Sequence, residues 1–258
     1  MLPEKQASER RSLEQALERL PLYQKKQATV LRRIERYWTR PEDARLLDVG
    51  AAQGVSTIGW QRLGFDAVGL EPWREAVETS RELARLAGAD AEVVEGVAEG
   101  MPFDDASFDL VWAESVMEHV AAPDRVFREV YRVLRPGGAF YFHTSSALGF
   151  RQREIRGFPF FAWYPASLKR RIMTWAKEKR PELIGHTNYP ALNWYTPWGV
   201  KRELTAVGFK RLLNRWELVQ PEEYSGPSRA MLLVARRSAP GRFVGEVLKP
   251  GSGFLAIK

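Results

Sequence analysis

The chain has 258 residues, 45% of them apolar, which suffices for one large α/β domain carrying an insert or for two small domains. Cysteine is absent, so disulfides, thiolate metal sites and a cysteine nucleophile are excluded together. No apolar run reaches the roughly eighteen residues of a membrane-spanning helix.

The net charge of +7 is unevenly spread: +5 over residues 1–40, −10 over 41–145 and +12 over 146–258. The acidic middle weighs against a nucleic-acid partner wrapped by the whole molecule. The basic flanks suit an anionic substrate, an anionic membrane surface or RNA. The N-terminus is charged from Glu4 onward without a signal-like apolar segment, so the expected location is cytoplasmic.

Residues 4–38 read as helix, expected as two pieces. Leu13, Leu17 and Leu20 share one face before Pro21 interrupts, and Val30, Leu31 and Ile34 resume the period. Residues 1–40 are therefore expected to form a helical lid. From Ala44 strands alternate with helices: strands at 45–49, 66–70, 91–95, 108–113 and 139–143, with helices over 55–63, 72–86 and 124–134. Pro72 is expected at a first helical position, and a further helix near Ser115. Successive units of this length imply a Rossmann-like, mostly parallel seven-stranded sheet with helices on both faces. Residues 41–147 and 196–237 supply it, the latter through a helix at 197–206 and strands at 209–216 and 230–235. Between them, 148–195 loses the alternation and is crowded with aromatic and basic residues around a helix at 165–179. It is expected as a substrate cap. The tail, 238–258, holds Pro240, Gly241, Pro250, Gly251 and Gly253 and is expected to be flexible.

One stretch organises this pattern. Leu46-Leu47-Asp48-Val49 is a short apolar run ending at the turn Gly50-Ala51-Ala52-Gln53-Gly54, which opens a helix. A glycine-rich turn on a helix N-terminus is built for a small ligand. About twenty residues later Val68-Gly69-Leu70-Glu71 ends a second strand in a carboxylate, at the spacing that suits ribose hydroxyls. The ligand expected there is a nucleoside cofactor.

With Met101-Pro102-Phe103-Asp104-Asp105-Ala106-Ser107-Phe108-Asp109 and Arg132-Val133-Leu134-Arg135-Pro136-Gly137-Gly138 in the same order, the chain resembles class I S-adenosylmethionine-dependent methyltransferases, and among them the quinone-biosynthesis group. The resemblance implies S-adenosylmethionine as cofactor. Gly50, Ala52 and Gly54 would face its methionine part and Asp48 its ammonium. Glu71 with Pro72 would meet the ribose, Ala98 and Glu99 the adenine, and the residue Glu114 the cofactor amine. Ala52 replaces the family's middle glycine, which a turn accepts only at negative φ. Val97 stands where many relatives place an aspartate on adenine.

Methyl transfer from a sulfonium needs alignment, plus a base where the nucleophile carries a proton. His119 and His143 are the candidate bases, and His186, Tyr189 and Tyr195 the candidate substrate contacts. Neither the base-amino turn nor a magnesium cluster is visible, so no metal is expected. The expected reaction is transfer to oxygen or carbon of a small acceptor, with lipid-linked, glycan and anionic molecules all open. An RNA-directed enzyme or a non-catalytic cofactor-binding subunit are the alternatives. A dinucleotide dehydrogenase is disfavoured by the turn, which is not Gly-x-Gly-x-x-Gly.

Overall fold

The computed structural model describes residues 2–149, 154–184, 190–249 and 251–258. Helix α1 (Leu2–Ile34) opens the chain. There follow β1 (Arg45–Val49), α2 (Val55–Arg62), β2 (Asp66–Glu71), α3 (Arg74–Ala87), β3 (Glu92–Glu95) and β4 (Phe108–Glu114). Next come α4 (Pro123–Val133), β5 (Leu134–Ser145), α5 (Ala166–Lys179), α6 (Pro197–Val207), β6 (Arg211–Asn214) and the single turn α7 (Arg215–Leu218). Helices α8 (Gly226–Arg237) and α9 (Ala239–Leu248) precede β7 (Gly251–Ile257).

The seven strands form one mostly parallel sheet in the order β3-β2-β1-β4-β5-β7-β6. Strand β2 pairs in parallel with β1 and β3, Asp48 lying opposite Gly69 and Glu71 opposite Glu95. Strand β6 pairs antiparallel with β7. Among the described residues no helix is long and apolar enough to cross a membrane.

The chain divides into two compact units, the first of residues 1–112, 129–140 and 258, the second of residues 113–128 and 141–257. In the first, Ala16 and Leu20 of α1 bury against Ile58 of α2 and Leu83 and Ala84 of α3. Trp60 stacks edge-on to Trp112 with centroids 4.9 Å apart. In the second, Phe142 stacks on Phe254 of β7 at 5.1 Å. The aromatic stretch after β5 builds a small core of its own from Ile155, Phe161, Met173, Ala176 and Ala191, with Phe158, Tyr164 and Trp194 packed around it.

Four expectations need correction. Residues 2–34 are one helix. Pro21 is exposed, and the buried stripe of Ala16, Leu20, Gln27, Val30, Leu31 and Ile34 runs past it unbroken. Pro72 lies outside α3, whose N-cap is Trp73. No helix starts near Ser115, because that residue adopts φ 57°, a left-handed conformation that stops helix propagation. The apolar run at 230–235 is helical: Leu232 and Ala235 are buried three apart while Val234 between them is exposed.

The tail is correspondingly ordered. Residues 239–257 form α9 and the buried strand β7, the seventh strand that had been expected at 230–235. Its glycines are close-packing positions. A Cβ at Gly241 would meet Val234, at Gly245 the Trp216 ring, and at Gly251 the His143 ring, each at 2.5–2.8 Å. Glycine content read as disorder was here a sign of tight approach.

Two of the sequence motifs hold each other. Arg132 donates to Glu129, Asp105 and the carbonyls of Met101 and Phe103, while Glu129 accepts from Met101 N at 2.7 Å. Asp109 accepts from Arg45 N and Arg135, joining the starts of β1, β4 and β5. Charge-assisted bonds of this kind contribute about 1.5–3 kcal/mol each where solvent is excluded, and Arg132 is only partly exposed. Arg132→Ala should therefore lower unfolding stability by about 2 kcal/mol in urea titration and loosen residues 99–107. An unchanged midpoint would mean that the network is dispensable.

Candidate active site

In the first unit, β1 delivers the turn Gly50–Gly54 and β2 delivers Glu71. Gly50 and Gly54 adopt φ 74° and 82°, and Gly54 caps α2 with no side chain in the way. A Cβ at Gly69 would meet the Ala51 Cβ at 2.7 Å and Thr57 Oγ1 at 2.9 Å, so glycine there lets β2 approach the turn. Gly50 N and Ala51 N both donate to Leu70 O, at 2.8 and 3.1 Å.

Glu71 is buried and accepts from Ala52 N at 2.9 Å through Oε2 and from Trp73 N at 3.3 Å through Oε1. Burial raises its pKa, and these two backbone donors pull it back toward the ionised form. Each oxygen keeps a lone pair for a further donor. Ala52 adopts φ 48°, contrary to the expected negative value. That conformation costs about 1–2 kcal/mol for a non-glycine residue, and the bond from its N–H to a buried carboxylate offsets it.

Asp48 is also buried. Its Oδ2 accepts from Thr57 Oγ1 at 2.8 Å, pinning the first turn of α2 to the end of β1. Gly96 N donates to Glu71 O at 3.0 Å, which brings the loop with Ala98 (buried), Glu99 (half-buried) and Met101 (buried) beside the end of β2. Pro72 is exposed next to Glu71, and Val97 is exposed as well. Gln53 donates to Ser12 Oγ at 3.0 Å, and Gln27 to Ser56 O at 2.8 Å, tying α1 to this turn and to α2. The turn, the carboxylate and the loop of residues 96–101 thus form one cradle. Its donors, its paired oxygens and its missing Cβ atoms fit a nucleoside.

The second unit gathers the other candidates. Glu114 ends β4, and Ser115 N donates to His143 O at 2.8 Å. His119 is half-buried, with Nδ1 3.3 Å from Pro190 O. A carbonyl only accepts, so this contact puts the ring proton on Nδ1 and leaves Nε2 as the basic nitrogen. Burial lowers the His119 pKa and keeps the ring neutral. His143 packs its ring against Gly251. Tyr195, expected as a substrate contact, is buried with its hydroxyl donating to Met117 O at 2.9 Å, so it anchors the turn after β4. His186 and Tyr189 lie outside the described residues.

Sequence reasoning missed Glu118. It is buried, its Oε2 accepts from Thr144 Oγ1 at 2.9 Å, and burial beside Glu154 pushes its pKa up to about 7. Ser145 donates to Glu154, and Glu154 acts electrostatically on Glu118, His119 and Lys169. Lys169 is buried under the Trp194 ring at 4.1 Å and donates to Ala162 O. The available signal was a charged residue inside the apolar run Val116-Met117-Glu118-His119-Val120. Among the described residues no cluster of potential metal ligands is present.

A parallel sheet with a glycine turn after its first strand and a ribose-type carboxylate ending the second defines a Rossmann-like nucleoside-binding domain. Comparison with known proteins gives the family. Residues 47–142 match the family described as methyltransferase domain. This segment has the sequence pattern of a methyltransferase domain. The chain is 37% identical over 103 residues to the sarcosine/dimethylglycine N-methyltransferase of Halorhodospira halochloris, covering 39% of this chain and 37% of that protein. It is 30% identical over 132 residues to the malonyl-[acyl-carrier protein] O-methyltransferase of Erwinia billingiae, covering 51% and 49%. The matches thus span less than half the length of these two relatives. The solved structure of an S-adenosylmethionine-dependent methyltransferase from Thermotoga maritima superposes with a TM-score of 0.52 at 16% identity, covering 94% of each chain. That likeness speaks for the fold. The narrower resemblance to quinone-biosynthesis enzymes is not carried by these matches.

The buried Glu118 makes a signed prediction. With its native pKa raised to about 7, the folded chain holds a proton that the unfolded chain releases at lower pH. Its contribution to stability is full below the ordinary carboxylate range and is lost as pH rises through about 7. Urea melts between pH 4.5 and 8 should show wild type losing on the order of a few kcal/mol relative to Glu118→Gln. Parallel pH profiles for the two proteins would refute the raised pKa.

Proposed function

We propose that the chain is an S-adenosylmethionine-dependent methyltransferase acting on oxygen or carbon of a small methyl acceptor. The observation that carries this is Glu71, a buried carboxylate at the end of β2 fixed by Ala52 N and Trp73 N, beside a turn in which Gly50, Ala52 and Gly54 all take positive φ. When bound, the cofactor supplies an already activated methyl group. The chain's own residues then align the methyl acceptor and remove a proton where one must leave.

In this reading Asp48, Gly50, Ala52 and Gly54 hold the methionine part, Glu71 and Pro72 the ribose, Ala98 and Glu99 the adenine, and the residue Glu114 the amine. The α1 helix acts as a lid, which its Ser12–Gln53 bond to the turn supports. Residues 148–195 serve as the cap on the methyl acceptor. His119 is the general base. The downward push on its pKa and an Nδ1 engaged by Pro190 O, which leaves Nε2 as the basic nitrogen, support proton removal from a hydroxyl or an activated carbon, whereas a neutral amine nucleophile would not need it. His143, packed on Gly251, is assigned a structural part.

Calorimetric titration with S-adenosylmethionine and S-adenosylhomocysteine tests the cofactor half. Glu71→Gln should weaken both by at least about tenfold, the loss expected when a charge-assisted hydrogen bond goes. Unchanged affinity in Glu71→Gln and Glu71→Ala would remove the reading. For the base, labelled donor fed to a host extract identifies the methylated product by mass spectrometry. With that methyl acceptor, His119→Gln should lower kcat about a hundredfold or more and leave cofactor affinity intact, while His143→Gln stays near wild type. Equal turnover in both variants would dismiss a histidine base.

A further inference from the structure

The second unit contains a cavity of about 580 Å³ that no step above uses. It lies between α6, α9 and the strands β6 and β7, and its walls are Val200, Leu204, Leu212, Phe254 and Leu255. Trp198 and Phe243 line it while remaining 59% and 52% exposed, so they stand at its mouth. Lys201 and Arg242, both exposed, line it too, and among the described residues neither makes an ion pair. The acidic groups in the lining are already engaged. Glu246 accepts from Trp216 Nε1 at 2.7 Å and from Ser252 Oγ, and Glu217 accepts from Asn214 N at 2.8 Å. The volume falls in the range of about 300–1,000 Å³ typical of small-molecule sites.

The helix beside the mouth is built to lie on a surface. Gly241 and Gly245, four residues apart, face inward, where a Cβ would strike Val234 and the Trp216 ring. Yet α9 leaves Phe243, Val244 and Leu248 exposed by 52–55%, with Arg242 exposed beside Phe243. Three exposed large apolar residues on one ten-residue helix are more than solubility favours in a free surface. Apolar residues with flanking cations are the composition of interfacial helices on anionic lipid. The surrounding sequence agrees in sign, since residues 146–258 carry +12.

We propose that the α9 face and this cavity form a docking site for an anionic phospholipid bilayer. Phe243, Val244, Leu248 and Trp198 enter the headgroup–acyl boundary, Lys201 and Arg242 meet lipid phosphates, and the cavity takes up one acyl chain. The site shares no residue with the cofactor cradle, so it survives or fails independently of the methyltransferase reading.

The test is co-sedimentation of the full chain with large vesicles of phosphatidylglycerol and phosphatidylcholine, against phosphatidylcholine alone, at low and high salt. Binding should require the anionic lipid and fall with salt. Phe243→Glu should reduce partitioning at least tenfold, and Arg242→Gln about fivefold. Both side chains are exposed, so a melting curve and S-adenosylmethionine titration matching wild type will confirm folding. If Phe243→Glu does not fold, Val244→Glu carries the same expectation. No binding to anionic vesicles, or binding unaffected by these changes, overturns the proposal. So does binding of a monomeric fatty acid without vesicle binding, or a concentration-dependent dimer that Phe243→Glu abolishes while vesicles are ignored. Failure of S-adenosylmethionine binding with vesicle binding intact would count against the methyltransferase reading alone.

Discussion

The bond between Glu71 and the backbone of Ala52 is the constraint on which the first unit turns. It fixes the carboxylate at the end of β2, holds the turn after β1 in a left-handed conformation, and does so within a protein interior that would otherwise expel the charge. A buried carboxylate with one donor per oxygen is neither idle nor saturated. It is preorganised, with its remaining lone pairs directed by bonds already made, and a ligand hydroxyl finds an oriented acceptor at little ordering cost. The same bond explains why alanine is tolerated where glycine was expected. Strain at Ala52 is held by an interaction that needs that very conformation.

Around that bond the other motif stretches of the sequence divide into two kinds of work. Asp48 ties β1 to α2 through Thr57, and Gly96 ties the loop of residues 96–101 to Glu71, so both serve the cradle directly. Arg132, Glu129, Asp105, Asp109 and Arg135 serve it at a remove, by knitting loop starts to strand starts. A pattern that resembles a family therefore mixes ligand contacts with scaffolding. Hydrogen bonds tell the two apart where spacing does not.

The sheet up to β5 was legible because each strand is a short apolar run bounded by turn residues, and each helix shows one buried face. The cradle was legible for the same reason: Gly50, Gly54 and Glu71 carry chemistry that spacing alone can place. What failed came from residues whose meaning depends on partners far along the chain. Pro21 sits on the solvent side of a helix whose buried stripe ignores it. Met231–Ala235 is apolar in either period, and only the exposure of Val234 shows that the period is helical. Gly241, Gly245 and Gly251 look like a loose tail until Val234, Trp216 and His143 are seen against them. Nothing in the spacing showed that the Tyr195 hydroxyl would be held by Met117 O.

The second unit shows how ionisable groups are sorted by what surrounds them. Glu246 is buried but meets an indole N–H and a hydroxyl, and Lys169 is buried but meets a carbonyl and an aromatic face. Each has fixed partners and a structural place in its core. Glu118 differs, because its neighbour Glu154 carries charge of the same sign, and burial together with that repulsion favours a proton over an ion. His119, adjacent in sequence, is pushed the opposite way, toward the neutral ring. Two neighbouring groups, one inclined to hold its proton and one inclined to be without it, are the arrangement that acid–base chemistry near neutral pH requires. Burial is the larger cause of both inclinations. It produces both because one group is an acid and the other a base, and desolvation drives each toward its uncharged form.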